Sequence, residues 1–232
     1  TITRWIEDGW EWGKPIDHNT YAKALAGEWD ILLTPTRPVP HSWFPEDLRG
    51  LRVLGLASGG GQQMPILTAR GARCTDRTVA EREGYDIDLV RADMSKPLPF
   101  ADASFDLIVH PVSNCYIEQV LPVWRECARI LRPGGLLMAG LDNGVNFITD
   151  DDEERIVNHL PFNPLKNADQ RDQLAEADDG VQFSHTLDEQ IRGQIQAGLR
   201  IVDLYEDTNG YGRLHELGIP SFWATLAQKP ED

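Results

Sequence analysis

The chain has 232 residues, of which 37 are acidic and 22 basic, and its net charge at neutral pH is −15. This length supports one α/β domain with a sizeable core, although length alone leaves two smaller domains open. The negative charge argues against nucleic acid and anionic membranes as partners. No run reaches the roughly 18 apolar residues of a membrane span, and the opening residues do not resemble a signal peptide. A cytoplasmic protein is therefore expected.

Cysteine and histidine spacing gives no sign of a metal site. Cys74, Cys115 and Cys127 form an odd set without CxxC spacing, and no histidine has a Cys or His neighbour at ligand spacing. We therefore expect neither a zinc site nor a disulfide framework.

The N-terminal segment, residues 1–50, holds five of the seven tryptophans. Asp17 or Asn19 is expected to cap a helix over about residues 20–28. The segment is expected to act as a helical lid, and the alternative is that it packs on the following domain.

From residue 52 the pattern alternates between strands and helices. The expected strands are 52–57, 72–75, 85–93, 104–110 and 136–141, with helices over 61–71, 76–84 and the apolar stripe that follows Leu121. The motif RPGG (132–135) is expected to turn the chain into the fifth of these strands. A helix over 186–198 and strands over 199–207 and 221–228 close the chain.

This alternation predicts an α/β, Rossmann-like sheet with helices on both faces. Ligands bind such sheets beyond the carboxyl ends of the strands, which indicates residues 58–63, 75–76, 93–94 and 110–116. Residues 143–182 interrupt the pattern with ten acids against three bases. They form either a solvated insertion, which we favour for the DDDEE run, or a mobile cap.

Three phrases carry a resemblance to a known family: GLASGGG (55–61), ADASFDLIVHPVSN (101–114) and ARILRPGGLLMAG (128–140). In this order, followed by the closing strand pair, they resemble the class I S-adenosylmethionine-dependent methyltransferases. The whole chain is similar to a bacterial, type-11-like subgroup of small-molecule methyltransferases. The resemblance implies a seven-stranded, mostly parallel sheet with an antiparallel last strand. It also implies a cofactor-binding domain over 51–232 with an acidic insertion at about 143–185.

Two departures from the family pattern stand out. Gly55 replaces the usual acid of the first motif, and Ala57 replaces its first glycine. Second, Thr75 runs directly into Asp76, where the family has a ribose-binding acid followed by a full helix. We hypothesise that about ten residues are missing at this junction, so that Asp76 is a stand-in for the ribose acid.

The resemblance also implies which residues bind S-adenosylmethionine. The loop after the first strand would meet the cofactor through its backbone, Asp93 and Met94 would meet the adenine, and Tyr21 would meet the sulfonium. Each has a structural alternative: a tight turn for the loop, a cap for Asp93 and core packing for Tyr21. The expected cofactor-binding residues are Ala57, Ser58, Gly59, Gly60, Gly61, Gln62, Asp76, Asp93, Met94, His110, Asn114 and Tyr21.

His110 and His185 are the candidate catalytic residues, because an unperturbed imidazole titrates near neutrality and accepts protons. For both, a hydrogen-bonded structural role is the favoured alternative.

The implied reaction is in-line methyl transfer to a small-molecule acceptor, driven mainly by proximity, with S-adenosylhomocysteine as product. The acceptor and the oligomeric state stay open. One alternative is a non-catalytic regulatory module that binds S-adenosylmethionine. A less favoured one is a nicotinamide-dependent oxidoreductase, because the loop sequence GGGQQM (59–64) lacks the third glycine of G-x-G-x-x-G.

Overall fold

The computed structural model describes residues 13–58, 60–74, 77–84, 90, 92–176 and 180–231. The fold is built on one mixed β-sheet. Its strands are β1 Val53–Gly55, β2 Phe105–His110, β3 Leu131–Asp142, β4 Arg200–Asp207 and β5 Phe222–Gln228. They are arranged in the order β1-β2-β3-β5-β4. The first three run parallel, and β5 pairs antiparallel with both β3 and β4. A mostly parallel sheet with an antiparallel last strand is therefore confirmed.

The sheet has five strands within the described residues, not the seven that the resemblance implies. The expected strand over 72–75 is reduced to one parallel bridge, between Arg52 and Arg73. Arg73 donates its N–H to the Leu51 carbonyl at 2.8 Å and accepts from the N–H of Val53 at 3.0 Å. Cys74 lies outside any strand, and the next described helix begins at Arg77. The expected strand over 85–93 and the Thr75–Asp76 junction lie largely outside the described residues.

Helices cover both faces of the sheet, as the sequence predicts. Residues of β2 alternate between two cores, with Leu107 and Val109 in one and Ile108 in the other. The first core also contains Leu67 of the helix after β1, and the second contains Trp124 of the helix after β2. Burial on both faces explains why β2 is apolar at nearly every position.

The predicted helices begin and end close to the expected positions, and the helices Ala168–Glu176 and Gly212–Glu216 were not predicted. The cap is Asp17, whose carboxylate accepts a 2.7 Å hydrogen bond from the N–H of Thr20. A π-helical turn over Asp188–Arg192 precedes the sixth helix. The helices are α1 His18–Ala26, α2 Gln63–Ala69, α3 Arg77–Glu83, α4 Leu121–Ile130, α5 Ala168–Glu176, α6 Gly193–Gln196 and α7 Gly212–Glu216.

The RPGG motif lies inside β3 and not before it. The strand begins at Leu131, directly after α4, and pairing with β2 jumps from Leu131 to Leu136. The four residues between them form a bulge, in which Gly134 has a φ of 74°. The expected turn is therefore wrong, although the glycine-dependent backbone that motivated it is present.

The N-terminal segment packs on the sheet. Ala24, Ile31, Leu33 and Trp43 belong to the same core as Val53 of β1. Trp43 donates its indole N–H to Asp203 of β4 at 2.7 Å. Most of the described segment is therefore fixed, and the domain boundary at residue 50 stays a prediction.

The described residues of the range 143–185 form a largely irregular region beside the sheet, with a 3-10 turn over Val145–Phe147 and the helix α5. Among the described residues, no helix has the length and apolar character that a membrane crossing requires.

Candidate active site

A cavity of about 830 Å³ lies at the carboxyl ends of the parallel strands. Ser58 and Gly60 line it after β1, Ser113 and Tyr116 line it after β2, and Asp142 lines it at the end of β3. This is the position that doubly wound sheets use for ligands. The remaining walls come from the N-terminal segment and from the irregular region 143–185.

The glycine loop after β1 has the backbone conformation of a glycine turn. Ala57 has a φ of 57° and Gly61 a φ of 70°. A non-glycine residue rarely adopts this left-handed region, because its Cβ crowds the following carbonyl. Ala57 therefore has a backbone conformation that favours glycine, even though alanine has replaced the first glycine of the motif. Gly61 is further held by its carbonyl, which accepts from the N–H of Ile16 at 3.0 Å.

Gly55 occupies the position where the family has an acid. A Cβ at this position would collide with Ser58 Oγ and would lie 2.7 Å from the Met64 sulfur. Ser58 and Met64 thus fill the space of the missing side chain. An acid at position 55 is incompatible with this packing unless both side chains move.

The N-terminal wall of the cavity, residues 32–35, is fixed by three contacts. Gln63 donates its side-chain amide to the Leu32 carbonyl at 3.0 Å. The Leu33 carbonyl accepts from the N–H of Val112 at 3.1 Å. It also lies so close to β3 that a Cβ on Gly140 would collide with it. This contact explains why position 140 is glycine.

Asp93 lines the cavity and also caps the turn that follows it. Its Oδ1 accepts from the Ser95 N–H at 2.9 Å and from the Ser95 hydroxyl at 2.6 Å. These two bonds lower the pKa of Asp93, so the side chain is a carboxylate at neutral pH. The capping alternative is therefore realised, while the position at the cavity still allows a contact to a ligand.

His110 is fully buried and is not among the residues that line the cavity. Its Nδ1 lies 3.2 Å from the Leu56 carbonyl, and its Nε2 lies 2.9 Å from Asn114 Oδ1. Asn114 in turn donates to Gln190 Oε1 at 2.8 Å. Burial lowers the pKa of His110, and both ring nitrogens have protein partners. The geometry therefore favours the structural role over the catalytic one.

His185 also has a structural environment. Its Nε2 lies 3.0 Å from the carbonyls of both Asn114 and Ile117, so it clamps the turn after β2. Burial lowers the pKa of His185, and its side chain does not line the cavity. The start of the following helix is capped by the neighbouring residues Thr186 and Glu189. The side chain of each accepts a hydrogen bond from the backbone N–H of the other, which is a capping box.

The structure divides the remaining expected residues into three groups. Tyr21 is buried on α1 and, like Gly61 and Asn114, is not among the lining residues. Gly59 and Asp76 lie outside the described residues. The expected residues that do line the cavity are Ala57, Ser58, Gly60, Gln62, Asp93 and Met94.

Asp142 is the main site residue that the sequence analysis missed. It directly follows the expected strand over 136–141, at the carboxyl end where such sheets bind ligands, and this position could have identified it. Its side chain is 3% exposed and lines the cavity. Oδ1 accepts from the Gly144 N–H at 3.1 Å, and burial raises the pKa of the carboxyl group to about 7.

The irregular region 143–185 supplies aromatic and acidic side chains to the same cavity. Phe147 and Phe162 pack together with ring centroids 5.1 Å apart. Asp150, Asp151 and Glu153 form an acidic rim beside them. The rim is fixed in part, because Glu153 accepts from the N–H of Leu214 at 2.6 Å.

Comparisons with known proteins identify the family. Residues 54–139 match the family described as "Methyltransferase domain". The chain is 39% identical over 224 residues to the uncharacterized methyltransferase YbaJ of Bacillus subtilis, which covers 89% of this chain and 88% of that protein. The chain belongs to the class I S-adenosylmethionine-dependent methyltransferases. Its cofactor is accordingly S-adenosylmethionine, and the family excludes the oxidoreductase alternative.

Solved methyltransferase structures share the fold. An S-adenosylmethionine-dependent methyltransferase from Mesorhizobium loti has a TM-score of 0.61 at 20% identity, covering 81% of this chain and 94% of its own. The 1,6-didemethyltoxoflavin-N1-methyltransferase of Burkholderia thailandensis was solved with its substrate and S-adenosylhomocysteine. It has a TM-score of 0.59 at 16% identity and covers 99% of this chain and 85% of its own.

The residues at the cavity fit this cofactor. The left-handed turn at Ala57 and the absence of a side chain at Gly60 allow a ligand to approach the loop backbone. The carboxylate of Asp93 provides a hydrogen-bond acceptor on the same wall. The cavity volume lies in the range of cofactor sites.

Proposed function

We propose that this methyltransferase transfers the methyl group to a small-molecule acceptor by in-line displacement, with proximity as the main source of rate. One observation carries the proposal: a single cavity is lined both by the glycine loop and by the aromatic side chains of region 143–185. At about 830 Å³ it is large enough for a cofactor and a compact acceptor side by side.

The cofactor is expected to lie along the loop after β1. Gly60, Ser58 and Gln62 would hold it there, while Asp93 and the backbone N–H of Met94 would meet the adenine. When bound, the cofactor supplies an electrophilic methyl group on a sulfonium. The roles of Gly59 and of Asp76 toward the ribose stay predictions.

The protein's own contribution is to position the acceptor and to exclude water. Phe147, Phe162 and Phe222 line the cavity with apolar surface, and the N-terminal wall closes its opposite side. Holding the two reactants together in such a site removes much of the entropic cost of a bimolecular reaction. The substrate of the Burkholderia neighbour, 1,6-didemethyltoxoflavin, is a small molecule, which agrees with this proposal.

The site is tested by Gly60→Val, which places a branched side chain in the cavity where the cofactor would lie. Isothermal titration with S-adenosylhomocysteine should show binding to the wild type and none to the variant. Ala168→Val introduces the same side chain on the exposed start of α5 and should bind normally. Circular dichroism checks that both variants fold.

Two results would contradict the proposal. Equal affinity of wild type and Gly60→Val would remove the cofactor from this loop. Binding without methyl transfer to any of a panel of amines, phenols, thiols and carboxylates would favour the non-catalytic regulatory alternative.

A further inference from the structure

Asp142 has an unsatisfied carboxylate oxygen at the cavity. Its Oδ1 accepts from the Gly144 N–H, but its Oδ2 is buried and has no hydrogen-bond partner among the described residues. A buried polar atom without a partner destabilises a folded protein, and a charged one does so most strongly. Such an atom at a ligand cavity is best explained by a ligand that supplies the missing hydrogen bond.

No cationic side chain neutralises this carboxylate from among the described residues of the cavity wall. Of the described residues that line the cavity, five are acidic and none is Lys, Arg or His; the acids are Asp93, Asp142, Asp150, Asp151 and Glu153. Arg155 approaches Asp150 only at 3.8 Å and is mostly exposed. An anionic acceptor would be repelled by this lining, whereas an organic cation would be attracted.

The titratable group that faces Asp142 from the turn after β2 is the thiol of Cys115. Burial and then the charge of Asp142 raise the pKa of this thiol well above its usual range, so it stays neutral and supplies no countercharge. Cys115 is likewise no competing nucleophile or base at neutral pH. The proton-accepting group at this end of the cavity is therefore the carboxylate.

The walls beside Asp142 are suited to an organic amine. Phe147, Phe162, Phe222 and Tyr116 line the cavity along with it. Aromatic rings attract cations and also accept apolar carbon chains. A protonated amine with a hydrocarbon body satisfies both the carboxylate and these walls.

We propose that Asp142 binds the ammonium group of a small amine acceptor and removes its proton, so that the enzyme methylates nitrogen. The inference rests on the proposed function. The N–H bond breaks and its proton goes to Asp142 Oδ2. The electron pair left on nitrogen forms the new N–C bond to the methyl group, and the pair of the broken C–S bond stays on sulfur. The pKa of about 7 allows this carboxyl group both to accept the proton and to release it afterwards.

The test measures amine binding to the protein saturated with S-adenosylhomocysteine. The cationic probes are phenethylamine and benzylamine, the neutral probe is phenethyl alcohol, and the anionic probe is phenylacetate. Wild type should bind an amine more tightly than the alcohol and should not bind phenylacetate. Asp142→Asn should weaken amine binding about tenfold or more, because a hydrogen bond to a charged partner is lost, and should leave alcohol binding nearly unchanged.

Asp169→Asn is the matched control. It makes the same acid-to-amide change on the exposed start of α5, outside the cavity, and should bind the amine like wild type. A second measurement needs no variant: wild-type amine binding should weaken as the pH falls below about 7, where Asp142 takes up its proton.

The outcomes separate this inference from the proposed function. Failure of the wild type to bind S-adenosylhomocysteine would overturn both. Normal cofactor binding, combined with failure to bind either amine, equal affinity for amine and alcohol, or unchanged amine affinity in Asp142→Asn, would overturn the role of Asp142 alone.

Discussion

Asp142 and Asp207 end the two strands on either side of β5, and their carboxyl groups differ in hydrogen bonding. Both pair in register with Phe222 of β5, Asp142 from β3 and Asp207 from β4. Both are largely buried, yet Asp207 accepts hydrogen bonds from Thr36, Arg37 and Thr208, whereas Asp142 has one oxygen without a partner. Two identical side chains in the same row of the sheet thus differ only in what the surrounding chain offers them.

The protonation of the two carboxyl groups follows from this difference. Burial alone would raise the pKa of Asp207, but the hydrogen bonds from Thr36 and Arg37 outweigh it and the pKa is lowered. Burial raises the pKa of Asp142 to about 7, because the bond from Gly144 compensates it only in part. The carboxylate of Asp207 joins the N-terminal segment to β4, while that of Asp142 keeps one oxygen without a hydrogen-bond partner among the described residues. Hydrogen-bond partners therefore distinguish the two carboxyl groups more clearly than burial does.

The largest expected effect on stability comes from removing the carboxylate of Asp207, which has hydrogen-bond partners. Asp207→Ala leaves the N–H groups of Thr36, Arg37 and Thr208 without their acceptor, and should lower the free energy of unfolding by about 3–4 kcal/mol. Urea denaturation at pH 7 measures it. Because the folded pKa of Asp207 lies below the unfolded one, this stabilisation is present at neutral pH and is lost as the pH falls through the folded pKa. A loss that persists unchanged in strong acid would contradict this account.

Replacing Asp142, whose Oδ2 has no hydrogen-bond partner among the described residues, should change the free energy of unfolding in the opposite direction. Ionised Asp142 destabilises the folded state above pH 7, since its folded pKa lies above the unfolded value of 3.8. Asp142→Asn should therefore raise the free energy of unfolding at pH 8 by about 2 kcal/mol, less than the full shift because the new amide is also buried. The gain should shrink between pH 7 and pH 4, and denaturation across this range measures it. A variant that is less stable at every pH would show that Asp142 holds the fold together.

A third and smaller effect on stability is expected at the carboxyl end of β1. Ala57 has a φ of 57°, which stores strain without any polar group being involved. Ala57→Gly should relieve it and raise the free energy of unfolding by about 0.5 kcal/mol, because glycine's greater freedom in the unfolded chain offsets part of the gain. Thermal denaturation with and without S-adenosylhomocysteine checks that the cofactor affinity is kept. A destabilised variant would mean that the methyl group of Ala57 makes contacts that outweigh the strain.

Much of the fold could be predicted from the sequence, because hydrophobic periodicity and chain-order rules act locally. The caps, the strand β2 and the closing strand pair follow from such patterns. The position rule for ligand sites also placed Ser58, Gly60 and Asp93 at the cavity. The position rule does not resolve where each side chain points: it cannot distinguish His110, which is hydrogen-bonded to Asn114, from Asp142, which lines the cavity. That depends on neighbours such as Gln190 and Gly144, which are distant in sequence or lie in irregular structure.

The contact between Leu33 and Gly140 has a consequence for the order of folding. The Leu33 carbonyl rests against β3 at a glycine and accepts from Val112, so the N-terminal wall docks on a surface made by chain segments synthesised much later. Contacts so distant in sequence form slowly, because the loop between them must close first. During folding, the glycine loop is therefore expected to form before the cavity, whose wall is complete only once residues 32–35 dock on β3.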